Sequence, residues 1–385
     1  MNASLGLGFS IVLLALGVTP AAGQILVSAN DGKAVLVDGV NVVPSPPTPD
    51  TVTILDAGVS PPRVVAELPA PNSVIGPPQN VAISPDGSIA VVASSTKVDP
   101  ADATKTVSDN RVTVIHLAAA PPVVLATLEA GAGASGLSFT PDGRLLLVAN
   151  RNEGTVSVFT VSGTTIARAT TIDLGAPASG PSHVAITPDG RTALVTRNND
   201  HLVSVLSIAN GAVTYTKRDI IAGLKPYGME ISPKGDVALV ANTGSGTTGG
   251  VDTVSVIDMT LDVPRAVDHV TVGVVPEALA ISPDGRFVAI TVMNGTNAVP
   301  SSPIYRDFGR LRVYSLDGHT MRPVTEARIG HWCQGVAWTT DSRTVIAQCM
   351  SERQLQLFRF DGQALAPAGA VPVTGAPAGL RAAGR

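Results

Sequence analysis

The chain has 385 residues, of which 44% are hydrophobic, 15% are charged and 3% are aromatic, and its formal net charge is −4. This weakly acidic, patch-free charge pattern argues against nucleic acid or an anionic membrane surface as a partner, and so few aromatic residues argue against stacking platforms for bases or sugars. The 38 glycines and 30 prolines stay below the level typical of disorder, so the composition predicts one large globular domain or two ordinary ones.

The first 23 residues, MNASLGLGFSIVLLALGVTPAAG, contain an apolar run from Leu5 to Val18 that ends in small residues. The run is too short for a typical membrane span, and Ala21 and Gly23 suit a cleavage site. We therefore predict that residues 1–23 are a cleaved signal peptide. They carry no Lys or Arg, and an uncleaved anchor is the alternative. Cleavage would leave a periplasmic or secreted protein with no stable membrane insertion.

One motif recurs six times along the rest of the chain, as in NVAISPDGSIAVVAS, GLSFTPDGRLLLVAN and HVAITPDGRTALVTR. Strand-like runs rich in Val, Ile and Ala flank a Pro-Asp-Gly turn, in which Pro presets φ and Gly supplies the left-handed position. The period of about 45 to 57 residues is that of a propeller blade. The central turn residues are Asp86, Asp142, Asp189, Lys234, Asp284 and Asp341.

A further strand-like segment follows each hairpin, and seven such segments occur, from TVTILD to QLQLFRF. The hairpin that is missing from the count of six is supplied by the two ends of the chain. The segment ILVSAN matches the second strand of a blade, and GAPAGLRAA matches the first. We therefore predict an all-β fold, in which residues 24–385 form a single seven-bladed β-propeller with four-stranded antiparallel blades. One blade built from both termini would close the ring and remove exposed sheet edges.

The runs GPSHVAITPDGRTALVTRNNDHLVSVLSI and SPKGDVALVAN resemble the YVTN-type propeller repeats of bacterial exported proteins. They are also similar to lactonase-type seven-bladed propellers, whose members include sugar-lactone hydrolases. The resemblance covers nearly the whole chain after residue 23 and implies the architecture. It implies an activity less directly, because the repeated residues are those that build blades.

The only two cysteines, Cys333 and Cys349, each lie eight residues from Asp341. In an antiparallel hairpin centred on that turn they would lie opposite each other, close to disulfide range. We therefore predict a disulfide. Free buried thiols, or a metal or redox site that also uses His331, are the alternatives. The six histidines show no metal-ligand spacing, so we predict no metal site and no cofactor. A metal site assembled across blades from backbone and carboxylate oxygens is the alternative.

Long insertions between the second and third strands of a blade all fall on the propeller face opposite the Pro-Asp-Gly turns. They span residues 39–50, 97–110, 243–252 and 293–309. Because long loops cluster on the binding face of repeat proteins, we predict that this loop-rich face carries the site.

Counting back from each turn places one residue of every blade at the mouth of the central channel, and counting forward reaches the ends of the second strands. The polar residues that we predict to bind a ligand there are Gln79, Asn80, Tyr227, Gln334, Asn150 and Asn242. Three further residues at these positions, His183, Arg197 and Glu277, combine a base, a cation and a carboxylate. They are the candidate catalytic residues.

Two functions fit these observations. The leading hypothesis is a non-catalytic recognition module, which binds a protein or a small ligand through the loop-rich face. The alternative is a lactonase-like hydrolase, in which His183 or Glu277 activates water and Arg197 stabilises the oxyanion. A redox subunit that uses a quinone cofactor is a third and weaker hypothesis.

Overall fold

A computed structural model describes residues 24–246 and 250–384, and these form seven four-stranded antiparallel sheets arranged as blades around a central channel. The predicted all-β, seven-bladed propeller is confirmed. Residues 1–23, which carry the predicted signal peptide, lie outside the described residues. Among the residues that are described, no helix is long and apolar enough to cross a membrane.

From the channel outward, the strands of each blade follow one another along the chain, except in blade 1. Blade 1 contains Ala376–Ala382, Ile25–Asp31, Thr51–Asp56 and Arg63–Pro69. Blade 2 contains Val81–Ile83, Ile89–Ala93, Arg111–His116 and Val123–Glu129. Blade 3 contains Ala134–Phe139, Leu145–Asn150, Thr155–Ser162 and Thr165–Asp173. Blade 4 contains Pro181–Ile186, Thr192–Arg197, Leu202–Ala209 and Ala212–Ile221.

The remaining three blades have the same order. Blade 5 contains Pro226–Ile231, Val237–Asn242, Asp252–Asp258 and Arg265–Gly273. Blade 6 contains Pro276–Ile281, Phe287–Val292, Gly309–Asp317 and Thr320–Ile329. Blade 7 contains Cys333–Trp338, Thr344–Cys349, Gln354–Phe360 and Leu365–Pro372. Two short hairpins, Val35–Val37 with Val40–Val42 and Thr96–Asp99 with Asp102–Ser108, are inserted on the loop-rich face of blades 1 and 2.

The ring closes as the sequence predicted. The C-terminal strand Ala376–Ala382 pairs antiparallel with the N-terminal strand Ile25–Asp31, so blade 1 takes its first strand from one end of the chain and its second from the other. Apolar residues of neighbouring blades pack between the sheets, and Trp338 also donates its indole hydrogen to the carbonyl of Ala280 in the adjacent blade, at 2.9 Å. Closure therefore leaves the innermost strands as a continuous channel wall.

The repeated turn owes its shape to hydrogen bonds as well as to Pro and Gly. In blade 2, the amide of Gly87 donates to the carbonyl of Ser84 at 2.8 Å, and Gly87 has φ +72°. The Ser84 hydroxyl donates to Asp86 at 2.6 Å, and this bond holds the pKa of Asp86 below its ordinary value. In blade 5, where Lys replaces Asp, Ser232 donates instead to Asp236. The turn therefore survives a substitution at its central position.

Cys333 and Cys349 lie directly opposite each other on the first and second strands of blade 7, with a Cα–Cα distance of 4.0 Å. They form a disulfide, as predicted. Both are fully buried. Among the described residues, the one group of His, Cys, Asp and Glu side chains with metal-ligand proximity is this pair with Glu352, and its sulfurs are already bonded to each other.

Candidate functional site

The innermost strands line the channel with alternate residues, because successive side chains of a strand point to opposite faces. The upper row of channel positions, nearer the loop-rich face, consists of Asn80, Gly136, His183, Gly228, Ala278, Gly335 and Gly379. The lower row, two residues further along, consists of Ala82, Ser138, Ala185, Glu230, Ala280, Ala337 and Arg381. Small residues dominate both rows. In the upper row the glycines allow close approach of the next blade, since a Cβ on Gly136 would lie 2.6 Å from the carbonyl oxygen of Ser182. In the lower row the small side chains border open volume at the centre of the ring.

That volume is a cavity of about 430 Å³, which opens on the face of the Pro-Asp-Gly turns. Five turn prolines line its rim, and His183, Glu230, Arg381 and Ser138 lie inside it. A cavity of this size suits a small polar molecule such as a sugar. This central cavity therefore opens on the face opposite to the one that the loop lengths indicated.

Glu230 and Arg381 form an ion pair between blades 5 and 1, with 3.1 Å between Oε1 and Nη1. The second oxygen of Glu230 accepts the amide hydrogen of Ile281 at 2.9 Å. The Glu230 side chain is 8% exposed and that of Arg381 is 30% exposed. The arrangement holds a guanidinium at a fixed point of the channel while leaving part of it accessible from the turn face.

His183 lies on the channel wall in blade 4, and its amide donates to the hydroxyl of Thr196 at 3.0 Å. Burial and then the charge of Arg381 lower the pKa of His183 to about 3, while a hydrogen bond with the main chain of Met229 opposes them. The imidazole is therefore neutral at physiological pH. Its Nδ1 atom is buried and has no hydrogen-bond partner among the described residues.

Glu277 lies at the other end of the channel, at the start of the innermost strand of blade 6. Burial raises its pKa to about 8, and the positive charge of Arg151 opposes the shift. Arg151 lies over the ring of Tyr227 at 5.5 Å and donates to the hydroxyl of Ser182 at 2.8 Å. Burial and the nearby Glu277 also raise the pKa of Tyr227. Glu277 is therefore largely protonated at neutral pH, and it lies in a buried polar cluster with Arg151 and Tyr227.

Arg197 is not brought to His183 or Glu277. Its guanidinium pairs with Asp200 and Asp219 at the outer part of blade 4, and it also donates to Ser204 at 3.3 Å. The reason is its place at the end of the second strand, where the side chain turns into its own blade. The structure places beside His183 a different cation, Arg381.

Asn150 and Asn242 end second strands in the same way. Asn150 donates to Thr155 at 2.8 Å and Ser157 at 3.0 Å, and Asn242 makes the equivalent bonds to Thr253 and Ser255. Both side chains are buried inside their blades. The structure thus gives these two predicted ligand-binding residues a position that joins adjacent strands.

Gln79, Asn80 and Gln334 do lie at the channel, where they are covered by the chain that connects blades 1 and 2. This segment, residues 70–78, is called the cap here. Asn80 donates to the carbonyl of Ser73 at 3.2 Å, and Gln334 donates to that of Val74 at 3.3 Å. Asp31 accepts the amide hydrogen of Val74, and buried Lys33 donates to the carbonyl of Asn72. The cap is held over the loop-rich end of the channel by these bonds.

Comparison with known proteins agrees with this architecture. The family model described as lactonase, 7-bladed beta-propeller matches residues 126–273. The chain is a seven-bladed propeller, and over this segment it is similar to the lactonase family. No curated protein matches it in sequence. The likeness to YVTN-type repeats stays a prediction.

Solved structures resemble this propeller over almost its full length. A protein from Bacteroides uniformis ATCC 8492 with a proposed 6-phosphogluconolactonase activity is 14% identical, with a TM-score of 0.72 over 94% of this chain and 100% of that one. The periplasmic gluconolactonase of Pseudomonas aeruginosa is 17% identical, with a TM-score of 0.66 over 93% and 99%. A protein of unknown function from Desulfotomaculum acetoxidans DSM 771 is 16% identical, with a TM-score of 0.68 over 94% and 99%. At these identities the likeness shows the fold alone.

Sequence reasoning missed Glu230 and Arg381, although the residue types of the lower row could have revealed them. The other five residues of the lower row are Ala or Ser. A charged side chain among small residues at a channel-facing position is costly unless it is paired or contacts solvent. Examining the position two residues after the upper-row residue of every blade would therefore have found both charges of the ion pair.

Proposed function

We propose that this lactonase-like propeller hydrolyses a lactone of a sugar or a related hydroxy acid, and that the substrate enters the channel from the turn face. The observation that carries the proposal is the cavity that His183, whose imidazole is neutral, and Arg381 line together. The family match and the gluconolactonase among the similar structures support the same reaction class.

Lactone hydrolysis needs a general base, a group that stabilises the oxyanion and a cavity that holds the substrate. The imidazole of His183 takes a proton from water, and the resulting hydroxide attacks the lactone carbonyl. Arg381 stabilises the negative charge that develops on the carbonyl oxygen. The ring C–O bond then breaks, the leaving alkoxide takes the proton back from the imidazolium, and the product is an open hydroxy acid. Arg381 can pair with the new carboxylate as it now pairs with Glu230.

The low pKa of His183 shapes the expected rate. The imidazole is in its basic form at any pH above about 4, but it is a weak base because protonating it places a cation in a buried site beside Arg381. Polarisation of the carbonyl by Arg381 must therefore supply a large share of the rate enhancement. We expect activity to be insensitive to pH between about 5 and 8 as far as His183 is concerned.

The test is hydrolysis of gluconolactone, 6-phosphogluconolactone and acyl-homoserine lactones by the purified, oxidised protein, with spontaneous hydrolysis subtracted. His183→Asn keeps the polarity but removes the base and should lower kcat at least about 100-fold. Arg381→Gln should lower kcat by a similar factor. His116→Asn, in the third strand of blade 2 and away from the channel, is the matched control. Unchanged turnover in H183N would remove His183 from the mechanism.

A recognition role on the loop-rich face is the second candidate, and an exposed apolar patch favours it. The hairpin of blade 1 exposes 49% of Val37 and 48% of Val40, and its Gly39 lies against Ala298 in the insertion of blade 6. Val299 beside it is 42% exposed. Contiguous apolar surface of this kind marks contact sites for other proteins.

The patch can be tested by affinity capture from a periplasmic extract. We expect the double variant V37E/V40E to lose a partner that the native chain retains. A variant on the turn face, Lys234→Glu, should retain that partner. Capture that is equally strong in all three proteins would show that the patch is not the contact surface.

A further inference from the structure

The cavity beside His183 has a wall with almost no net charge. Among the described residues that line it, only His183, Glu230 and Arg381 have titratable side chains. Glu230 and Arg381 are paired with each other, and the imidazole of His183 is neutral. A phosphate group carries a charge of about −1.5 to −2 at pH 7 and is bound by cations and strong hydrogen-bond donors. The described lining supplies no second cation, so the cavity is unsuited to a phosphorylated substrate.

Apolar side chains line the cavity behind the turn prolines. They are Ile83, Phe139, Ile186 and Ile231, from the consecutive blades 2 to 5. Each holds the same position in its blade, two residues before the turn proline. The three isoleucines are half-buried, and Phe139 is 9% exposed. These four side chains, called the apolar belt here, follow the ion pair toward the turn face along the innermost strands.

The polar side chains of the cavity are few, and their hydrogen bonds are already made within the protein. The hydroxyl of Ser138 donates to the carbonyl of Val184 at 2.7 Å, and that of Ser232 donates to Asp236. Glu230 accepts from Arg381 and from the amide of Ile281. A sugar lactone carries several hydroxyl groups, which are costly to bury without partners. The cavity has the volume for a sugar-sized ring, but its wall offers few partners for the hydroxyl groups of a sugar.

We infer that the substrate of this cavity is a neutral lactone whose ring carries an alkyl chain. The chain lies against the apolar belt, and the lactone carbonyl lies toward Arg381. This inference rests on the proposed hydrolysis, and of the two substrate classes named there it selects the lactones of hydroxy acids over those of sugars. Binding removes the alkyl chain and the belt from water, so each added methylene group should favour binding roughly fourfold.

The test compares lactones that share one ring and differ in the chain, with the full-length, oxidised protein. From δ-valerolactone to δ-hexalactone and δ-octalactone, kcat/KM should rise roughly fourfold per methylene group. The value for δ-octalactone should exceed the values for gluconolactone and 6-phosphogluconolactone. Equal kcat/KM along the series, or a preference for either sugar lactone, would overturn the inference while lactone hydrolysis itself stands.

Lactams measure binding separately from hydrolysis, because the ring N–H that replaces the ring oxygen makes them resist hydrolysis. In isothermal titration, 6-propylpiperidin-2-one should bind at least about tenfold more tightly than piperidin-2-one. If the lactams bind in this order and no lactone is hydrolysed, the proposed reaction fails and the apolar binding site stands. If no lactam binds and no lactone is hydrolysed, both are overturned.

Ile186→Thr places a shorter and polar side chain in the belt. It should lower kcat/KM for δ-octalactone about tenfold relative to that for δ-valerolactone. Ile172→Thr is the matched control, because Ile172 is also half-buried and packs against the same apolar cluster, but lies on the outer strand of blade 3. It should keep the native ratio. The ratio is measured within each variant, so a change in stability does not affect it. A native ratio in I186T would show that the belt does not select the substrate and would overturn the inference.

Discussion

Two buried groups on the channel, Glu277 and His183, change the stability of the fold with pH in opposite directions. Burial raises the pKa of Glu277 from 4.5 to about 8. Above pH 4.5 the unfolded chain releases this proton while the folded chain keeps it, so stability falls as pH rises from 4.5 to 8. At about 1.4 kcal/mol per pH unit, the whole range corresponds to about 5 kcal/mol.

His183 has the opposite sign. Burial lowers its pKa from 6.5 to about 3, so below pH 6.5 the unfolded chain takes up a proton that the folded chain does not. Stability therefore rises with pH from 3 to 6.5 and is constant above that. The two effects cancel between pH 4.5 and 6.5. From pH 6.5 to 8 only Glu277 of these two groups contributes, and its contribution should fall by about 2 kcal/mol.

Urea unfolding, followed by the fluorescence of Trp332 and Trp338, separates the two groups. E277Q should remove the loss between pH 6.5 and 8, and H183N should leave that loss unchanged. Between pH 4.5 and 6.5 the stability of E277Q should rise with pH, and that of H183N should fall. The control is E129Q, because Glu129 is exposed on the outer strand of blade 2. Parallel curves for native protein, E277Q and E129Q would refute the reasoning, because Glu277 would then ionise alike in both states.

Three further predictions concern the blades. Replacing Cys333 and Cys349 together by Ser should lower the free energy of unfolding by about 3 kcal/mol, measured in urea, because the closed loop spans 16 residues. Arg197→Leu should cost about 1 kcal/mol by removing the ion pairs with Asp200 and Asp219, while Asp219 keeps its hydrogen bonds from Ser204 and Tyr215. Lactone turnover of the folded protein should stay unchanged, and a selective loss of kcat would restore Arg197 as a catalytic residue. Asp236→Asn should lower the melting temperature more than Lys234→Asn, because the hydroxyl of Ser232 donates to Asp236.

The sequence predicted the architecture because the features that define the propeller depend on residues close together along the chain. Each Pro-Asp-Gly turn fixes its own hairpin, the period counts the blades, and the spacing of Cys333 and Cys349 about Asp341 fixes their register. These features depend on neighbours within about 20 residues, and cross-strand pairing follows directly from a known turn. The same locality explains why the match between the two chain ends was sufficient to predict ring closure.

The site was harder to predict because it depends on residues that are far apart along the chain. Glu230 and Arg381 meet across the ring although 151 positions separate them. Arg197 and His183 belong to one blade, yet the ends of second strands send their side chains into the blade and not into the channel. The face also differs from expectation. Long loops show only on which face residues are inserted. Here the cap lies on that face and closes that end of the channel.

The two candidate functions use opposite faces of the same ring, and this makes them independently testable. Substitutions at His183 or Arg381 act in a cavity that opens between the turn prolines, while Val37 and Val40 lie on an insertion beyond the cap. The wall between the two faces is built from buried strands that pack blade against blade. We therefore expect a surface substitution on one face to leave the structure of the other face unchanged. We therefore expect V37E/V40E to keep the lactone turnover of the native protein, and H183N to keep its capture of a partner. Loss of both properties in either variant would mean that the two faces are coupled through the channel, with the cap as the element that joins them.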